Sequence, residues 1–153
     1  MENNIFGNLM DWGTVLEKLE RLSRSGELGY CQDELIRLLR FDHNWRLREA
    51  AVEALPFVEN PGLDLAQELL LLIKRRDLYY DIRILAADSF EKMTNAMVKN
   101  PDIDTVKLQA FFTAAIKDLK VLLSSPEPPI FYTALQQCAG QIKNQHQICS
   151  RTP

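Results

Sequence analysis

One segment of this chain recurs without a gap 35 residues downstream. Leu35 to Asp42 and the Leu47 to Leu55 stretch behind it reappear as Leu70 to Asp77 and Ile82 to Phe90. Asp42 pairs with Asp77, Leu47 with Ile82, Arg48 with Arg83, Ala51 with Ala86 and Leu55 with Phe90. A fixed period of this length marks stacked units, none of which can bury its apolar face alone. The copies therefore constrain the fold more than any composition figure does.

Within each copy the apolar positions have helical spacing. Leu47, Ala50, Ala51, Ala54, Leu55 and Val58 fall on one face of a helix, and Ile82, Leu85, Ala86, Ser89, Phe90 and Met93 repeat the stripe. Small residues in mid-stripe allow neighbouring helices to approach closely, while the larger ones fill the space between units. A third copy aligns from Ile130 through Thr133, Ala134, Gln137, Cys138 and Gln141. Its glutamines predict a terminal, capping unit, because no neighbour covers the last repeat.

The runs Leu35 to Val58 and Leu70 to Met93 resemble HEAT repeats, with an apolar first helix, an Asp in the turn, then an apolar-Arg pair and alanines. The resemblance implies an all-α fold, a short right-handed α-α superhelix of about seven helices. It also implies a structural ladder in which Asp42 meets Arg48 and Asp77 meets Arg83, linking turn to helix. The expected layout is one domain over residues 1–144: N-terminal helices over 9–40, repeats over 35–58 and 61–98, and a capping repeat over 101–143. Residues 145–153 are expected to form a flexible tail. Asn60-Pro61 and Asn100-Pro101 look like N-caps followed by proline at the first helical position.

Several function classes find no support in the residues. Three cysteines, Cys31, Cys138 and Cys149, are odd in number and form no C-x-x-C pair, which argues against a disulfide framework and for a reducing cytoplasm. Residues 1–10 lack the basic cluster and long apolar core of a signal peptide, and the apolar run at Leu69 to Ile73 is far too short for a bilayer. His43 and His146, the two histidines, are not read as metal ligands. Neither a Gly-rich phosphate loop nor a nucleophile elbow occurs, and Cys138 sits on a core stripe as a small hydrophobe. The expectation is a non-enzyme without cofactor or metal. The cluster Lys74-Arg75-Arg76 ends a helix, where cations offset the helix dipole.

A protein-interaction adaptor is the leading expectation. Trp45 and Tyr80, with Tyr79 beside the latter, stand at the turn before the second helix of each copy, as interface anchors or as staples over the preceding helix. In HEAT-like stacks the second helices line the concave face, and outward positions here include Glu49, Glu53, Asp81, Asp88 and Glu91. An acidic face suits a basic protein or peptide partner and opposes nucleic acid; no membrane partner is expected. The chain is also uneven in charge: residues 1–106 carry 13 basic and 19 acidic side chains, residues 107–153 five and two. The alternatives are a bilin-lyase-like or other HEAT-like enzyme subunit and a HEAT-like nucleic-acid binder. Apolar residues Met97, Val98, Ile103 and Val106 suggest an exposed patch on the 94–106 hairpin through which a homodimer could form.

Overall fold

The computed structural model describes residues 4–151, and among these it contains seven α-helices, two 3₁₀ turns and no strand. Local chemistry sets the helix ends. Helix α1 (Trp12–Ser25) stops where Gly26 takes a left-handed φ of 74° and its N–H reaches the Leu22 carbonyl. A 3₁₀ turn over Leu28–Cys31 leads into α2 (Gln32–Arg40). Helix α3 (Trp45–Ala54) is capped by Asn44, whose side-chain oxygen accepts the Arg46 N–H at 2.9 Å. Pro56 then turns its end into a 3₁₀ segment over Leu55–Phe57. Helices α4 (Leu63–Lys74), α5 (Tyr80–Val98), α6 (Thr105–Leu123) and α7 (Pro129–Arg151) complete the chain.

The two Asn-Pro pairs do not cap helices. Asn60 adopts a positive φ of 52°, whereas an N-cap needs extended backbone, and Gly62 takes the cap position of α4. Asn100 is buried and its side chain is already used: Nδ2 donates to the Pro61 carbonyl at 3.0 Å and Oδ1 accepts the Asp102 N–H at 2.9 Å. Asp104 caps α6 instead, accepting the Lys107 N–H. Gln32 works in the same way one loop earlier, donating to the Asn60 carbonyl at 2.9 Å and accepting the Gly62 N–H at 2.8 Å. These amides stitch successive interhelical loops to one another.

Helices α2 and α3, α4 and α5, and α6 and α7 pack as consecutive pairs. Across the pairs, α2 meets α4 and α4 meets α6, while α1 meets α3, α3 meets α5 and α5 meets α7. The stripes read from the two copies supply these contacts. Leu47, Ala51, Leu55, Ala86, Phe90 and Met93 are all buried, and Ala50, Ile82 and Leu85 are half-buried against them. Ser89, the one polar member, donates its hydroxyl to the Val52 carbonyl at 2.8 Å and so ties α5 to α3. A buried hydroxyl without such a partner would cost about 1–3 kcal/mol.

The third stripe is displaced from its expected register. Ile130, Thr133 and Gln137 are exposed, and the buried line of α7 runs through Phe131, Leu135, Cys138, Ala139 and Ile142. Glutamines still mark the end of the chain, but Gln141 and Gln145 donate to the Asn95 side chain across the α5–α7 seam. The outward side of α7 carries Gln136, Lys143, Asn144 and Gln147 beside the exposed Ile130, Tyr132 and Ile148. The expected flexible tail is helix over 145–151, held by buried Gln145 and Cys149; residues 152–153 lie outside the described residues. Nor does the 94–106 hairpin present an apolar patch, because Met97 is fully buried and Val98 and Ile103 pack against the core. Only Val106 of the four is exposed. Among the described residues no helix is long and apolar enough to cross a membrane.

Candidate functional site

The Asp-Arg pattern of the repeats resolves into two different arrangements. In the first copy Arg48 is buried; its Nε donates to the Leu39 carbonyl at 3.0 Å and its Nη2 pairs with Asp42. The Arg48 guanidinium, with Arg75 of the next repeat at 3.5 Å, holds the Asp42 carboxyl below the usual carboxylate range. In the second copy Arg83 is buried as deeply, and Nε donates to the Ile73 carbonyl at 2.9 Å. Asp77 does not reach it. That carboxylate instead takes a forked pair from Arg75, at 3.0 and 2.6 Å. The Asp77–Arg83 rung of the expected ladder is therefore absent, and the Arg83 guanidinium lies against aromatic rings, 4.3 Å from the Phe131 centroid and 5.2 Å from Tyr80. Its Nη2 has no hydrogen-bond partner.

The turn aromatics divide along the same line. Trp45 is 66% exposed, with the Arg46 guanidinium over its ring at 5.7 Å, and Tyr79 is 88% exposed. Tyr80 keeps 40% of its surface but is engaged as a staple: the ring tilts against Phe131 at 5.3 Å, and the hydroxyl donates to Glu127 at 2.8 Å. The bond to Glu127 is also the main reason that its phenol titrates above the usual value. Trp45 and Tyr79 remain exposed, while Tyr80 fastens the α6–α7 turn to the start of α5.

The acidic side chains singled out on α3 and α5 all reach the surface. Glu53, Asp81 and Asp88 are exposed, and Glu49 and Glu91 are half-buried. Between α5 and α7, Asp81, Asp88 and Glu91 border an open groove of about 360 Å³ that is also lined by the half-buried Ile84, Leu85 and Ala134 and by Gln137; Glu49 and Glu53 do not line it. Among the described residues Lys92 is the one cation in an ion pair with this set, at 3.1 Å from Asp88, and both members are more than half exposed. The groove's charge is felt beneath it. Burial pushes the Cys138 thiol up to about 12, and Glu91 and Asp88 add to the shift. That thiol is inert packing at neutral pH.

Among the described residues no group of three or more His, Cys, Asp or Glu side chains is placed to hold a metal. His43 sits edge-on to Phe41 at 5.4 Å, and His146 shares a hydrogen bond with Thr113 at 3.1 Å. Lys74 and Arg75 are paired with Asp118, Asp77 and Asp42, so the basic cluster at the end of α4 is largely neutralised. Sequence reasoning missed Ile130 and Tyr132, which stand exposed at the start of α7 just as Trp45 and Tyr79 do at α3 and α5. The two prolines before Ile130 could have signalled that the helix begins there and leaves its first turn uncovered. No protein-family model matches the chain, and comparisons with curated proteins and with solved structures return no match.

Proposed function

We propose that this chain is a non-catalytic binding module, a short HEAT-like α-solenoid that takes a basic protein segment on the acidic face of its α3, α5, α7 row. The observation that carries the reading is the α5–α7 groove, where an apolar floor is bordered by three carboxylates with a single bonded cation. Opposite charge on a partner would hasten encounter, and the exposed Trp45 and Tyr79 offer the large aromatic surface on which interface affinity concentrates. A phosphate backbone would be repelled by the same face. The alternation of helix contacts, with α2, α4, α6 in one succession and α1, α3, α5, α7 in the other, is what supports a solenoid build.

The test is a titration of a fluorescein-labelled basic peptide rich in Leu and Arg, followed by anisotropy at low and high salt beside a peptide with Glu in place of Arg. The basic peptide should bind, weaken about tenfold or more with Asp81→Asn plus Asp88→Asn, and weaken as salt rises. Equal binding of the acidic peptide would contradict the reading.

A further inference from the structure

We infer that the outer face of the α6–α7 pair is a second docking surface, built for an acidic helix of a partner protein and independent of the α5–α7 groove. In the earlier pairs the corresponding face is covered, since α4 seats against α2 and α5 against α3. Among the described residues no further helix covers α6 and α7. On α6, Val106, Ala110, Thr113, Lys117 and Val121 follow one another at helical spacing and are all exposed, opposite the buried Leu108, Phe112, Ala115 and Leu119. On α7 the exposed line runs through Tyr132, Gln136, Gly140, Lys143 and Gln147.

The hydrogen bond between Thr113 and His146, at 3.1 Å, joins the two helices and fixes their register. Moving four residues along α6 and three back along α7 brings Lys117 and Lys143 to about the same level, with Lys120 one turn farther on α6. All three lysines are exposed, and none makes an ion pair among the described residues. The side-chain carboxylates of residues 107–153 are both engaged elsewhere: Asp118 with Lys74 of α4 at 3.1 Å, and Glu127 with the Tyr80 hydroxyl at 2.8 Å. The excess of positive charge in this part of the sequence is therefore left uncompensated on one face. Like charges gathered in this way repel, and an opposite charge brought to them relieves the repulsion. A helix fits because small side chains, Ala110, Thr113 and Gly140, lie along the face, and a Cβ added at Gly140 would meet nothing within 4 Å. A short acidic segment suits it better than an extended polyanion, which would also meet the field of a chain whose net charge is −3.

The probe is a fluorescein-labelled, alanine-rich helical peptide with one Glu per turn on one face, and its control has Gln in place of Glu. Anisotropy with the full chain should show the Glu peptide binding at least about tenfold tighter than the Gln peptide, with the difference shrinking as salt rises. Lys117→Gln plus Lys143→Gln should remove most of that preference, whereas Lys99→Gln, at an exposed lysine just beyond α5, should keep it. Circular dichroism should show an unchanged fold in both variants. Asp81→Asn plus Asp88→Asn, which weakens the basic peptide in the reading above, should not weaken the Glu peptide, so the two readings fail separately. Equal binding of the two peptides, or a preference that survives the double lysine substitution, would overturn the inference. Tighter binding of a single-stranded oligonucleotide or of phosphatidylserine vesicles than of the Glu peptide would overturn it as well.

Discussion

The first and second repeats carry the same Asp, the same Arg and the same alanine stripe, yet their arginines are satisfied in different ways. Arg48 has a carboxylate and a carbonyl; Arg83 has a carbonyl and two ring faces, with one nitrogen unpaired. The cause is the neighbour each repeat meets. The second repeat supplies Arg75 behind Asp42, so the first pair becomes a network. The third puts Phe131 at the position equivalent to Arg83, and an aromatic ring then covers the guanidinium. A repeat motif therefore specifies that an arginine will be buried, and the adjacent unit decides what it will touch.

This contrast can be broken most strongly at the ring. Phe131→Ala removes a fully buried side chain and the cover of Arg83, and should cost about 3–5 kcal/mol in chemical unfolding. A loss under 1 kcal/mol would mean that the α5–α7 joint is held elsewhere. Next come the two alanines, where the repeats should behave alike. Ala51→Leu and Ala86→Leu each overpack a fully buried site and should each lose about 1–3 kcal/mol. If one of the two variants unfolds like the parent, the shared packing register is wrong at that repeat.

The arginines themselves should separate the copies. Arg48→Met forfeits a charge-assisted network and should destabilise by about 1–3 kcal/mol. Arg83→Met loses a carbonyl bond and ring contacts but relieves an unpaired buried nitrogen, so its effect should stay within about 1 kcal/mol of zero. Equal losses in thermal or urea unfolding would show that Nη2 is satisfied after all.

The smallest effect is in pH. Because Asp42 is held below its ordinary value in the fold, its contribution is complete above the usual carboxylate range and disappears as pH falls through the lowered value. The pair is largely exposed on the Asp42 side, so Asp42→Asn should flatten the acid limb of the stability curve by at most about 1 kcal/mol. An unchanged acid limb in that variant would assign the dependence to other carboxylates.

The sequence made the helices and their pairing readable because the 35-residue period and the alanine stripe are local signals repeated twice. Ala51 and Ala86 follow directly from it. The third repeat was less legible: Gln137 and Thr133 preserve the spacing while the buried line lies one residue over, at Phe131, Leu135 and Cys138. Only a partner's shape, here α5 with Asn95 awaiting Gln141 and Gln145, distinguishes those registers. The Asn-Pro pairs misled for a similar reason, since Asn100 is recruited by a carbonyl 39 residues away. At the candidate site the acids and Trp45 were visible as residues, but which tyrosine is free was not. Tyr79 and Tyr80 are adjacent in sequence, and only the presence of Phe131 and Glu127 makes the second a staple.

The proposed binding face is tested most directly by an amide-resolved titration. Uniformly nitrogen-15-labelled chain titrated with the basic peptide rich in Leu and Arg should shift backbone amides of residues 81–91 on α5 and 134–137 on α7, in a salt-sensitive manner. Those of α2, α4 and α6 should stay in place. Shifts confined to the α2, α4, α6 row, or none at peptide concentrations that saturate anisotropy, would contradict the assignment of the groove as the site.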